Sequence, residues 1–398
     1  MRTVEQVRED IPILKKIVYF DSASVCPPPL PVIQSMVDYY KDCPFNYHVS
    51  RFKATQEAAR RGDTAREQAA RFMNAESSSQ VIFTKNTTEA LNLVARGLKF
   101  DRGDEVILTN IEHQSNIIPW QKLAKQTGLK IKVVKANDEG IVEPSNIEEN
   151  LSTRTRVVTV IHVSNIFGTI QRVVDIGKVV RNYENISYLV DAAQSAGRTR
   201  VDVNEIDADF VTFCGRKALM GPQGTGLLYG TNDALKTLNP LELGSRAANV
   251  VSEQEFSSME APFKFEAGIV NTSGLIGLGR AIKYIEEIGL TRILERIKQL
   301  TKIMIENLEE LPNIELYGDR SVDNQAGIVP FNVKGYSPHE VAVSVDTSNM
   351  IALASGANGS YLVMKQLGVE GIVRASVHYF NTEDEIQTLI RSLRKLKR

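Results

Sequence analysis

One segment constrains the fold more than any other: residues 186–230, ISYLVDAAQSAGRTRVDVNEIDADFVTFCGRKALMGPQGTGLLYG. Two apolar runs of strand length, 188–190 and 209–213, are separated by a polar stretch with turn residues. Asp191 ends the first run, and Lys217 follows the second. Because open α/β sheets bind ligands in a crevice at the carboxyl ends of their strands, these two side chains are predicted to converge on one site.

An acid paired with a lysine in this way suits pyridoxal phosphate (PLP). The lysine amine condenses with the aldehyde of the cofactor, and a carboxylate keeps the pyridine nitrogen protonated, so that the ring can accept electrons. Either residue alone would be interpreted more simply, Asp191 as a surface cap and Lys217 as a solvated loop residue. The pair favours PLP, with Lys217 and Asp191 as catalytic residues.

VDAAQSAG followed by Lys217 resembles the class V aminotransferase group of fold-type I PLP enzymes, and within it the cysteine desulfurases and selenocysteine lyases. The resemblance implies an α/β fold of the aspartate aminotransferase type. Its large domain would hold a mostly parallel sheet of the seven-stranded type, and its small C-terminal domain would be α+β. We place the large PLP-binding domain at 16–280, and the small domain at 281–398 together with the N-terminal segment 1–15. The resemblance also implies a homodimer.

The same resemblance implies which residues hold the cofactor. The turn after a predicted strand at 81–84 places adjacent hydroxyls at a helix start, which suits a phosphate, although ordinary capping by threonine has the same pattern. A histidine in the next such turn would stack on the ring and could move a proton. The resemblance implies that Thr87 and Thr88 contact the phosphate and that His113 stacks on the ring. It also implies that Asn165 and Gln194 lie near the ring hydroxyl.

On the phosphate side the chain departs from the family. Arg216 stands where the family has histidine, and Cys214 stands where it commonly has serine. Arginine is always charged and binds phosphate with two hydrogen bonds, so Arg216 is expected to carry more of the phosphate contact than the thiol. A contact from the partner subunit would come from the hydroxyl after Glu-Ala-Gly, but Ile269 stands there. That contact would fall to backbone or to Thr272.

Arg374, in GIVRAS at 371–376, matches the arginine that binds the α-carboxylate of the substrate. A planar guanidinium holds a carboxylate through two parallel hydrogen bonds. The N-terminal loop at 21–24 resembles the segment that lines the substrate entrance, so Ala23 is predicted to contact substrate together with Asn165. The substrate is therefore expected to be a small amino acid.

The most informative departure is the segment 353–360, LASGANGS. Cysteine desulfurases carry a cysteine there that takes sulfur as a persulfide, but Ala354 stands at the arginine position of that motif and Gly359 or Ser360 at the cysteine position. A hydroxyl cannot replace a thiolate as the sulfur acceptor. We therefore expect a desulfurase-like C–S lyase that acts by β-elimination on cystine- or cysteine-type substrates. The alternatives are a class V aminotransferase, an epimerase of the isopenicillin N epimerase type, and a non-catalytic PLP-binding scaffold.

Composition excludes other classes of function. The 398 residues have a net charge of −1, which gives no reason to expect nucleic acid or an anionic membrane as a partner. Three cysteines without paired spacing predict neither a disulfide framework nor a metal site. The N-terminus is charged and has no apolar signal region, and no apolar run reaches membrane-spanning length. A cytoplasmic enzyme is expected.

Overall fold

Two sheets carry the fold in the computed structural model, which describes residues 1–48 and 52–396. The strands of the described residues are β1 (Val18–Tyr19), β2 (Val81–Thr84), β3 (Glu105–Thr109), β4 (Lys130–Val134), β5 (Thr155–Ile161), β6 (Ser187–Asp191), β7 (Phe210–Cys214), β8 (Gly226–Gly230), β9 (Ala248–Val250), β10 (Phe256–Ser258), β11 (Ile314–Leu316), β12 (Ile328–Val333), β13 (Ile351–Ala352), β14 (Ala354–Gly356) and β15 (Ile372–Ser376). β2–β8 form a sheet of seven strands, in the order β2-β8-β7-β6-β5-β3-β4.

The seven-stranded sheet is parallel except at β8, which pairs antiparallel with both β7 and β2. This confirms the predicted mostly parallel sheet. Its central strands are buried along nearly their whole length, because helices cover both faces of a parallel sheet. The carboxyl ends of β2, β3, β5, β6 and β7 therefore meet at one edge of the sheet.

Helices cover the two sheets. Their bounds are α1 (Val4–Glu9), α2 (Leu30–Asp42), α3 (Lys53–Phe72), α4 (Thr87–Gly97), α5 (Ile118–Thr127), α6 (Pro144–Glu148), α7 (Val173–Arg181), α8 (Val203–Ile206), α9 (Asn232–Thr237), α10 (Thr272–Ile288), α11 (Leu290–Glu309), α12 (Pro338–Asn349), α13 (Tyr361–Leu367) and α14 (Glu383–Arg394). The sequence pattern at the C-terminus predicts a closing helix over 382–397. Thr382 caps it through a capping box with Glu385, and it ends at Arg394, while Lys397 lies outside the described residues.

A smaller antiparallel sheet, in the order β11-β12-β15-β14, forms in the C-terminal part of the chain. α10 runs without a break across position 280, where the two domains were predicted to meet. The N-terminal segment contacts α10 and α14, since Arg2 Nε is 2.7 Å from Glu287 Oε2 and Arg8 Nη1 is 2.8 Å from Glu385 Oε1. These contacts agree with placing 1–15 beside the small domain, and the domain division itself stays a proposal.

Among the helices of the described residues, none has both the length and the apolar character that a membrane crossing requires.

Candidate active site

A crevice opens at the carboxyl edge of the seven-stranded sheet. The predicted residues that line it are Thr87, Thr88, His113, Asn165, Asp191, Gln194, Cys214, Arg216 and Lys217. Each lies at the end of a strand or follows it: β2 leads to the threonines, β3 to His113, β5 to Asn165 and β7 to Lys217, while Asp191 ends β6. The parallel strands therefore bring together side chains that are far apart in the sequence.

Asp191 and Lys217 are both buried, and burial favours the neutral form of each group. Burial raises the pKa of the Asp191 carboxyl, while the Lys217 ammonium and a hydrogen bond from Ala193 N (2.9 Å) act in the opposite direction. Burial likewise lowers the pKa of the Lys217 ammonium, and Cys214 and Asp191 oppose that shift. A neutral lysine amine is the form that attacks a carbonyl or accepts a proton.

The turn between β2 and α4 presents polar groups to the crevice. The Asn86 side chain caps α4 by accepting a hydrogen bond from Glu89 N at 2.9 Å. Thr88 Oγ1 lies 2.8 Å from Ser115 Oγ, so two hydroxyls from different strand ends are paired. Thr87 Oγ1 is buried and has no hydrogen-bond partner. A free hydroxyl at a helix N-terminus is a suitable donor for a phosphate oxygen.

His113 lines the crevice near three positively charged side chains. Its Nδ1 accepts a hydrogen bond from Ser115 N at 3.2 Å. Burial lowers the pKa of the imidazole to about 4, and the charges of Lys217, Arg374 and Arg216 contribute to the shift. The imidazole is therefore neutral at physiological pH and offers an uncharged ring face.

The two predicted amides are held in different ways. Gln194 Nε2 donates to Ala23 O at 2.8 Å, which leaves Gln194 Oε1 buried without a partner at the crevice. Asn165 bonds to the segment 358–360: its Nδ2 donates to Asn358 O, and its Oδ1 accepts from Ser360 Oγ, both at 3.0 Å.

Arg374 lies beside the crevice and is 3% exposed. Its Nη1 donates to Asn165 O at 3.0 Å, and its Nη2 contacts Ser24 Oγ at 2.7 Å and Asp21 Oδ1 at 3.2 Å. Arg216 Nη1 donates to the backbone carbonyl of Ser24, so both guanidinium groups meet the N-terminal loop. Arg374 Nε has no hydrogen-bond partner, so this N–H donor of the guanidinium remains free.

Besides Arg374, which lies beside the crevice, two predicted residues do not line it. Ala23 is buried next to it, and its backbone N–H already donates a hydrogen bond within the protein, to Ser376 Oγ at 3.0 Å. Thr272 starts α10, and its hydroxyl donates to Val270 O at 3.3 Å. Within one chain Thr272 therefore lies away from the crevice, and its predicted contact with the cofactor of a second subunit stays a prediction.

Some residues that line the crevice were not predicted from the sequence. Asn86, Ser115, Ile161 and Ala193 also contribute to the crevice. Ser115 was detectable in principle, because it follows His113 by two positions in a polar turn after a buried strand. Asp21 and Ser24 belong to the loop that was predicted to line the entrance, but their bonds to Arg374 were not anticipated. In the described part of the chain, no three His, Cys, Asp or Glu side chains are grouped to hold a metal ion.

PLP fits these residues. An unpartnered hydroxyl at Thr87 suits its phosphate, the buried carboxyl of Asp191 suits its ring nitrogen, and the unpartnered Gln194 Oε1 can accept from its ring hydroxyl. Lys217 supplies the amine for the aldehyde.

Comparisons with known proteins agree with this geometry. A model of the class V aminotransferases matches residues 18–389. A probable cysteine desulfurase of Methanothermobacter thermautotrophicus is 43% identical to this chain, over 100% of it and 98% of the relative. The apo structure of a cysteine desulfurase from Thermococcus onnurineus NA1 superposes with a TM-score of 0.95 at 40% identity, over 98% of this chain and 97% of that one. A complex of the cystine C–S lyase C-DES with its product cysteine persulfide superposes with a TM-score of 0.86 at 25% identity, over 97% and 99% of the two chains.

Proposed function

The chain belongs to the class V aminotransferase family, and on that premise we propose that it is a PLP-dependent C–S lyase acting on cystine-type amino acids. Relatives that carry the names cysteine desulfurase and cystine C–S lyase support an amino acid containing sulfur as the substrate. The proposed reaction is β-elimination, in which the Cα proton is removed and the Cβ–S bond breaks. With water, cystine would yield pyruvate, ammonia and cysteine persulfide.

The placement of the thiols carries this proposal. The chain has three cysteines, all buried and unpaired, and none of them lies in the segment 354–360 beside the crevice. Cys26 and Cys43 do not line the crevice, and Cys214 is 3% exposed at the end of β7. A sulfur-transfer enzyme needs an accessible thiolate, whereas β-elimination needs only a base and an electron acceptor.

PLP bound in the crevice would supply the electron-accepting ring. The residues that would hold it are the Thr87 and Thr88 hydroxyls and Arg216 at the phosphate, Asp191 at the ring nitrogen, and Lys217 at the aldehyde. His113 would cover one ring face. Burial lowers the pKa of the Lys217 ammonium and so favours the neutral amine, the form that can take the Cα proton of the substrate.

Arg374 and Asn165 would fix the substrate. The free Nε of Arg374 and the second Nδ2 hydrogen of Asn165 are donors left over from their contacts within the protein. A carboxylate placed between them would hold Cα over the lysine. Asp21, next to the guanidinium, orients Arg374 without occupying all of its donors.

We also propose a homodimer and a cytoplasmic location. Exposed apolar side chains at helical spacing on α2, Ile33, Val37 and Tyr40, form a face that suits a subunit interface. Light scattering of the purified protein measures the oligomeric state. Three unpaired thiols suit a reducing compartment.

A cysteine-free variant, Cys26→Ala/Cys43→Ala/Cys214→Ser, tests the proposed function. We expect cofactor-saturated variant and wild type to form pyruvate from cystine at rates within a few-fold of each other, since no protein thiol takes part. Mass spectrometry during turnover should detect persulfide on the small molecule only. A protein persulfide that forms and discharges at the catalytic rate would contradict the proposal. Amino-group transfer to a keto acid, or racemisation without pyruvate, would favour the aminotransferase or epimerase alternative.

A further inference from the structure

The segment 354–360 is tied to the active site along its length. It begins as β14, which pairs antiparallel with β15, the strand that carries Arg374. Its tip then turns toward the large sheet, where Gln114 N donates to Gly359 O at 2.7 Å. Asn358 Nδ2 donates to Gly356 O at 2.9 Å and closes the turn. Hydrogen bonds therefore anchor the segment to both sheets.

Gly359 lies directly on the imidazole of His113. Its φ is +74°, in the left-handed region that favours glycine. A Cβ at this position would be 2.3 Å from His113 Nε2 and 2.7 Å from Cδ2, well inside van der Waals contact. The backbone at 359 can therefore rest on the ring only because no side chain is present, and it limits where the ring can lie.

Ser360 acts on Asn165. It precedes α13 at the N-cap position, where a serine hydroxyl normally bonds to the backbone of its own helix. Here it makes no capping bond. Fully buried, the hydroxyl instead donates to Asn165 Oδ1, and the neighbouring carbonyl of Asn358 accepts from Asn165 Nδ2. A donor on the oxygen and an acceptor on the nitrogen permit one orientation of the amide.

We propose that the segment 354–360 is a fixed wall of the active site, in which Gly359 positions His113 and Ser360 positions Asn165. The proposal deepens the proposed function and rests on it only in taking His113 and Asn165 as site residues. The same contacts leave no room for a sulfur-accepting cysteine on this segment. A cysteine at 359 would collide with the imidazole, and one at 360 would point at Asn165.

Gly359→Ala, with Gly356→Ala as a matched control, tests the contact with His113. Both glycines have a positive φ, so both variants carry the same type of backbone strain. A Cβ at 356, however, meets nothing closer than 3.6 Å. In the cofactor-loaded, full-length protein, we expect Gly359→Ala to increase deuterium uptake of 357–360 and of the Gln114 amide about tenfold or more. It should also shift the His113 signal among the five histidines in NMR spectra. Gly356→Ala should leave that signal in place. Equal effects of the two variants, or an unchanged His113 signal in Gly359→Ala, would overturn the proposal.

Ser360→Ala tests the contact with Asn165 independently of whether Gly359→Ala folds. We expect KM for the amino acid to rise about three- to tenfold, a change in the absorption spectrum of the bound cofactor, and recovery of both in Ser360→Thr. A lowered melting temperature with unchanged spectrum and KM would show that Ser360 is only structural, and would contradict the proposal. Deuterium uptake, NMR and absorption need no turnover, so they remain decisive if the lyase assignment itself fails.

Discussion

Glu112, next to His113, is a fully buried carboxyl that joins the ends of β3 and β5. Its oxygens accept hydrogen bonds from Thr109 Oγ1, from Asn116 Nδ2 at 2.7 Å and from Ile161 N at 2.8 Å. Burial raises its pKa to about 8; the hydrogen bonds oppose this shift, and the charge of Asp191 adds to it. A carboxyl with a raised pKa binds its proton more tightly in the folded than in the unfolded chain. Its contribution to stability is therefore full below the unfolded pKa and is lost as pH rises through about 8.

Glu112→Gln should remove this pH dependence, because an amide does not titrate. Each unit of pKa difference is worth about 1.4 kcal/mol. Between pH 6 and pH 8 we expect wild type to lose about 2 kcal/mol of unfolding free energy relative to the variant. Urea unfolding of both proteins at the two pH values measures the difference. Parallel pH profiles would show that the carboxyl is ionised throughout.

At the scale of elements, a buried ion pair connects α3, β2 and the segment that follows the short turn Phe263–Phe265. Arg66 Nη1 and Nη2 lie 2.7 Å and 2.8 Å from Glu266 Oε1 and Oε2. Phe83 N also donates to Oε1, and Arg66 Nη1 also donates to Val81 O. Each side chain of the ion pair forms hydrogen bonds with a backbone group as well as with the opposite charge. Removal of either side chain therefore leaves several buried polar groups without partners.

Glu266→Ala should lower the unfolding free energy by about 3–5 kcal/mol, because it leaves the Arg66 guanidinium buried and uncompensated. The double variant Arg66→Met/Glu266→Leu should be less destabilised than the single one. Asp175→Ala provides a control, since it breaks the exposed pair with Arg172 and should cost about 1 kcal/mol or less. Denaturant unfolding compares all of them. A single variant as stable as the control would mean that solvent reaches the pair.

Elements with a buried, periodic pattern were predictable from the sequence. The strand at 81–84 has the predicted bounds, because an apolar run between turn residues specifies both the strand and its ends. The exposed hairpin of β9 and β10 could not be predicted in this way, since its residues carry no burial pattern. The position of the crevice could be predicted from the ends of the strands, whereas the hydrogen bonds from the segment 358–360 to Asn165 could not. Such contacts depend on the relative position of two sheets, which local patterns do not encode.

At the scale of the whole molecule, Arg198 joins the N-terminal loop to the proposed small domain. The side chain is fully buried; Nη1 donates to Ala326 O and Val377 O, both at 2.8 Å, and Nη2 donates to Ser22 Oγ at 2.6 Å. Burial lowers the pKa of the guanidinium to about 10, which still leaves it charged at neutral pH. One residue of the proposed large domain thus donates hydrogen bonds to groups on both sides of the proposed domain division.

Arg198→Met should therefore uncouple the two proposed domains. It removes the donor of Ala326 O and of the Ser22 hydroxyl and one of the two donors near Val377 O, and each buried group left unpaired costs about 1–3 kcal/mol. Trp120, the only tryptophan, is buried within the proposed large domain, so its fluorescence reports the unfolding of that domain. Far-UV circular dichroism reports the unfolding of the whole chain. In urea the two signals should coincide for wild type and separate for Arg198→Met. Arg200→Met, at an exposed arginine two positions away, should leave them coincident. Coincident transitions with an unchanged midpoint in Arg198→Met would show that the interface between the two bodies holds without this residue, because apolar packing alone would then be sufficient to couple them.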